Sequence, residues 1–235
     1  LAGQGAKILI QMASVVVLAR LLAPEVYGLL VMATAVIGVT DIFRDFGLSS
    51  AAIQAPTLSR EEQVNLFWVN SALGALLTAI SWLAAPLLAA FYHRSELVQL
   101  THVMAFMFLI NGFATQYRAD LSRRMRFRWI AICDVAASLI GLTVAIALAL
   151  RGAGVWALAA QQLSRATASL LFLVIGARWL PTWYRRTVSI RHFLGFGWRL
   201  AGSQLVNYVG NNLDTVVLGL RWEPPRWAST TGPTS

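Results

Sequence analysis

The chain has 235 residues, 57% of them hydrophobic and only 12% charged, with 19 Lys and Arg against 10 Asp and Glu. So apolar a composition excludes a water-soluble globular domain, because too few polar residues remain to cover its core helices. The net charge of +9 would suit nucleic acid, but the cations flank long apolar runs, so anionic lipid headgroups are the expected neighbours and nucleic acid is not.

A helix that crosses a bilayer needs about 20 mostly apolar residues. Seven runs meet that length: Leu1 to Leu22, Tyr27 to Ile53, Leu66 to Phe91, Leu97 to Tyr117, Ile130 to Leu150, Val155 to Leu180 and Phe193 to Leu220. The runs are continuous rather than alternating with period 2. Backbone groups in lipid must also be satisfied within their own segment, so the expected fold is all-α, a polytopic transmembrane bundle of about seven spans. Loops 2, 4 and 6 hold ten arginines, namely Arg60, then Arg118, Arg123, Arg124, Arg126 and Arg128, then Arg178, Arg185, Arg186 and Arg191. Loops 1, 3 and 5 hold three, Arg20, Arg94 and Arg151. Cytoplasmic loops retain the excess of Lys and Arg, which places the N-terminus and the even loops inside. Loop 4 reads as a plain basic loop, with a surface helix dipping Met125, Phe127 and Trp129 into the interface as the alternative.

Other chemistry is sparse. The single cysteine, Cys133, excludes an internal disulfide and a cysteine-based metal site, and His93, His102 and His192 have no ligand spacing, so neither metal nor cofactor is expected. The first run reads as a retained helix rather than a cleaved signal, since no small-residue cleavage site precedes Arg20. Residues 221–235, with Pro224, Pro225 and Pro233 among Ser and Thr, read as disordered. With Leu1 in place of an initiating methionine, both ends look cut, and a fragment or interrupted reading frame is expected.

Ionisable side chains inside a span cost about 2.5–3.5 kcal/mol each at the bilayer centre, so they should face protein or water. Asp41, Arg44 and Asp45 in the second run and Arg165 in the sixth are such residues. They could neutralise one another, Asp41 and Arg44 being spaced i, i+3, or they could form a protonatable, ion-coupling site, for which Asp41 is the better candidate. Polar residues also form stripes at helical spacing: Gln4, Lys7, Gln11 and Ser14; Gln161, Arg165 and Ser169; and Arg199, Ser203, Asn207, Asn211 and Asp214. Hydrogen bonding between helices would explain each stripe alone. Three stripes together with central charges point instead to a hydrated cavity, where Lys7 and Arg199, on the cytoplasmic side, could receive a phosphate or diphosphate headgroup. Glycines around the sixth and seventh runs suit close or moving helices, and Pro86 suggests a kink.

Several strings resemble a known family: LARLLAPEVYG from Leu18, FGLSSAAIQ from Phe46, the RRMRFR stretch, GAGVWALAAQQL from Gly152 and FGWRLAGSQLVNYVGNNLDTVVLG from Phe196. They are similar to the polysaccharide-biosynthesis exporters, the oligosaccharide flippases of the multidrug, oligosaccharidyl-lipid and polysaccharide exporter superfamily. The resemblance implies a two-lobed transporter with a central cationic cavity, open alternately to each side. Such proteins move polyprenyl-diphosphate-linked oligosaccharides or related polysaccharide intermediates across the bacterial inner membrane, coupled to an ion gradient. It implies that Arg199, Asn207, Asn211 and Asp214 line the cavity from the second lobe and Arg165 from the first. Residues 1–192 would then be the first lobe, 193–220 the first helix of an incomplete second lobe, and 221–235 a tail foreign to the family. The expected partners are the bilayer, the lipid-linked oligosaccharide and polysaccharide polymerase or export machinery. A multidrug exporter of the same fold and a non-transporting assembly fragment are the alternatives. A membrane glycosyltransferase would need acidic or histidine residues on a sizeable loop, and no loop carries them.

Overall fold

The structure, a computed structural model, describes residues 2–21 and 58–184 together with positions 27, 28, 50, 52, 53, 55, 193, 195 and 202. Among these, five helices form: α1 (Ala2–Leu21), α2 (Arg60–Tyr92), α3 (Glu96–Arg123), α4 (Phe127–Ala149) and α5 (Val155–Ala177). They correspond to the first, third, fourth, fifth and sixth apolar runs. The second and seventh runs, and the tail, fall outside the described residues apart from a few isolated positions. Four helices, α2 to α5, are long and apolar enough to cross a membrane. Their exposed apolar side chains suit lipid contact: Leu83, Leu87 and Phe91 of α2 are 79%, 73% and 78% exposed, an arrangement that water would penalise and a bilayer does not. The protein is an all-α, multi-pass membrane bundle.

Helices α2 and α3 are longer than hydropathy alone marks out, because local hydrogen bonding extends them into polar sequence. Helix α2 begins at Arg60 rather than Leu66 because Ser59 closes a capping box, accepting from the Glu62 N–H at 3.2 Å while the Glu62 carboxylate accepts from the Ser59 N–H at 2.8 Å. Pro86 lies inside this helix without ending it. The basic string expected as loop 4 is mostly helical. Arg118 and Arg123 belong to α3, Arg128 to α4, and only residues 124–126 turn, with Met125 left-handed at φ 56°. The Arg126 N–H donates to the Leu121 carbonyl at 2.9 Å, closing the α3 C-terminus, so no separate surface helix exists there.

Small residues set the packing. Gly74 of α2 meets Gly112 of α3 so closely that a Cβ on Gly74 would lie 2.6 Å from the Phe108 carbonyl oxygen. On α4 the buried residues Cys133, Ala137, Gly141, Ala145 and Ala149 recur every fourth position, a smooth stripe that admits α5 and α1. Side by side the helices run α2, α3, α5, α4, α1, so α5 lies against both α3 and α4 while those two consecutive helices touch only slightly. One end of the bundle gathers the start of α2, the end of α3, the start of α4 and the end of α5 around Phe67, Tyr117, Leu121, Cys133, Leu173 and Trp179. Arg60 sits 4.4 Å above the Trp179 ring there, and Trp68 donates to the Thr182 carbonyl at 2.8 Å while stacking on Trp183. This is the composition of a headgroup-level aromatic girdle, and it coincides with the arginine-rich end.

Candidate functional site

Four helices wall a cavity of about 460 Å³: Lys7 from α1; Met107, Asn111 and Arg118 from α3; Asp134 and Ala137 from α4; Gln162, Arg165, Ala166 and Ser169 from α5. At 1.5 Å rise per residue, Arg118 lies about 8 Å and Met107 about 24 Å from the end of α3, so the cavity runs from near the arginine-rich turn to about the middle of the bundle. Its lining holds three cations and one carboxylate. The carboxylate is already spent: Arg118 grips Asp134 with two hydrogen bonds of 2.6 and 3.2 Å, the bidentate fork that guanidinium geometry favours. Among the described residues Lys7 and Arg165 have no ion pair, so their charge faces the cavity.

A smaller recess of about 40 Å³ adjoins, lined by Lys7, Ile10, Gln11, Ser14, Ser138, Gln161 and Arg165. Gln161 donates to the Ser14 hydroxyl at 2.6 Å, binding α5 to α1. The polar stripes of the first and sixth runs therefore divide their labour. Ser14 and Gln161 join helices, while Lys7, Arg165 and Ser169 line the larger cavity and Gln11 the recess. The structure places Lys7, Gln11, Gln161 and Arg165 around this recess. Asp41, Arg44, Asp45, Arg199, Asn207, Asn211 and Asp214 lie outside the described residues.

Asp134 and Arg118 are additions that the apolar runs and stripes do not reveal. Arg118 counts as a loop cation by hydropathy, and Asp134 as an acid near the end of a span. The usable signal is an acid inside an apolar run with an arginine 16 residues upstream across a short turn. Neighbouring charges at the same end do other work. Arg124 pairs with Asp120 at 3.1 Å within one turn, and Arg123 donates to the carbonyls of Ala52 and Ala55 at 2.5 and 2.7 Å.

Comparison with known proteins fits this architecture. The sequence model of the polysaccharide biosynthesis protein family matches residues 17–226. The chain belongs to that family. It is 28% identical over 180 residues to the teichuronic acid biosynthesis protein TuaB of Bacillus subtilis (strain 168), covering 76% of this chain and 37% of that one. Over 208 residues it is 28% identical to the lipopolysaccharide biosynthesis protein WzxC of Escherichia coli (strain K12), covering 86% and 42%. Over 205 residues it is 26% identical to the succinoglycan biosynthesis transport protein ExoT of Rhizobium meliloti (strain 1021), covering 87% and 42%. The chain thus spans less than half the length of these curated relatives. No solved structure matches it.

Proposed function

We propose that this family member acts in the translocation of polyprenyl-diphosphate-linked oligosaccharides, or related polysaccharide intermediates, across the bacterial inner membrane, with its N-terminus cytoplasmic. The observation that carries the reading is the cavity in which Lys7 and Arg165 face open space within the bundle while the nearby carboxylate is occupied by Arg118. A charged side chain held in a membrane needs water or a counter-ion. A diphosphate is a counter-ion of matching chemistry, since it accepts charge-assisted hydrogen bonds from a guanidinium and an ammonium together. The names of the relatives, among them a succinoglycan biosynthesis transport protein, support the same class of cargo.

Arg199, Asn207, Asn211 and Asp214 are proposed to complete the cationic and polar lining from the following helix, and Asp41, with Arg44 and Asp45, to couple transport to an ion gradient. A multidrug exporter of the same fold is the less favoured reading, because the described lining has only Met107, Ala137 and Ala166 as apolar members and no aromatic ring. The deciding experiment reconstitutes the chain in proteoliposomes with a fluorescent lipid-linked oligosaccharide and follows its appearance at the opposite leaflet. Translocation that Arg165→Gln abolishes supports the reading. A wild-type rate equal to that of empty vesicles rejects it.

A further inference from the structure

The Arg118–Asp134 pair lies in the wall of the cavity and not behind it: the two side chains are 41% and 22% exposed, and both contribute to the lining. It also joins two consecutive helices that touch only slightly. Helix α3 leans on α2 and α5, and α4 on α5 and α1, so the bridge lies at the edge of a small interface, next to the buried Tyr117, Leu121 and Cys133 and open to the cavity on its other side. The packed core beside it fixes the helix ends, whereas the pair itself is held by two hydrogen bonds and stays partly exposed to the cavity, so a competing anion can exchange into it. Removing one partner of a charge pair leaves the other uncompensated, so exchange is favourable only for a ligand that itself carries negative charge.

We propose that Asp134 is an internal stand-in for the substrate's phosphate: it occupies the Arg118 guanidinium while the cavity is empty and is displaced from it when a diphosphate arrives. This rests on the cationic-cavity reading above and adds a residue to it. The Asp134 carboxylate presents two oxygens to the fork of Arg118, as a phosphate does, and Lys7 and Arg165 share the cavity that the displaced guanidinium would face. Asp134 thereby sets how tightly the cavity holds an anion, making the site releasable.

The test measures binding of inorganic pyrophosphate to the full chain in lipid nanodiscs by titration calorimetry. Asp134→Asn should tighten binding about tenfold, because Arg118 no longer has to be freed. Asp134→Ser serves as a second charge-removing variant, its hydroxyl able to donate to a carbonyl one turn back as Ser138 does to Asp134 at 2.7 Å. The gain should vanish when Arg118→Gln is added. Asp120→Asn, at an acid of the same helix end that pairs with Arg124 outside the cavity, should change nothing. Wild-type binding that Arg165→Gln weakens, with no tightening in either Asp134 variant, overturns the stand-in role and leaves the cavity reading in place. The same holds if the gain persists without Arg118. Absence of pyrophosphate binding in the wild type and in both Asp134 variants overturns both.

Discussion

His102 of α3 places Nε2 3.3 Å from the backbone carbonyl of Trp82 on α2, and that carbonyl is the one deprived of its helical donor by Pro86. In an α-helix the residue 82 carbonyl accepts from the N–H of residue 86, and proline has none. Trp82 returns a bond from its indole N–H to the His102 carbonyl at 2.9 Å. The clasp thus repairs a helix defect, and it explains how α2 continues through the proline.

Replacing His102 with Phe keeps a ring beside Trp82 but removes the donor. The orphaned carbonyl should cost about 1–3 kcal/mol in stability. In a Pro86→Ala background, where residue 86 regains its N–H, the same replacement should cost much less. Unfolding free energies in mixed micelles measure this, and equal costs in the two backgrounds would refute the repair.

Glycine at 74 is required by contact, not by backbone conformation. Gly74→Ala should destabilise the α2–α3 pair by about 1–3 kcal/mol, because its Cβ meets a backbone oxygen that can yield only if the helix moves. Gly5→Ala on α1 meets nothing within 4 Å and should be neutral or stabilising by up to about 1 kcal/mol. Thermal unfolding of the two variants side by side is the check, and a Gly74→Ala protein as stable as wild type contradicts the packing.

Loss of the capping box should fray the first turns of α2. Ser59→Ala is expected to cost about 0.5–2 kcal/mol, and Glu62→Gln less, since glutamine can still close the box. Amide hydrogen exchange at residues 60–64 reads the effect directly. Unchanged protection in Ser59→Ala would show that the girdle around Arg60 and Trp179 holds the helix end unaided.

Gradient dependence tests the proposed ion coupling. Asp41→Asn should reduce flipping driven by an ion gradient while leaving pyrophosphate binding intact, since a carboxylate that carries the coupling ion is not needed to hold the anion. Equal flipping with and without a gradient in the wild type removes the coupling role.

The helices themselves were legible because continuous apolar runs have one stable solution in lipid. Their ends were not, because hydropathy reads Arg60, Glu61, Glu62 and the Arg118–Arg123 segment as loop, whereas capping and backbone hydrogen bonds carry helix through them. The Ser59-x-x-Glu62 pattern was available as a start signal. At the site, Lys7, Gln11, Gln161 and Arg165 could be aligned from period alone, since each stripe stays on one helix. The Arg118–Asp134 contact depends on how two helices diverge from a turn, and the insertion of α5 beside both depends on small residues spread over α4, neither of which a single-helix period encodes.

The short turn at Arg124–Arg126 also bears on how the chain enters the bilayer. Because Arg118 and Asp134 flank it closely, their pair closes within a single helical hairpin and needs no other span to form. Two charges that would each resist burial in lipid then settle near the arginine-rich end as a neutral couple, and the insertion machinery handles one compact hairpin instead of two reluctant segments.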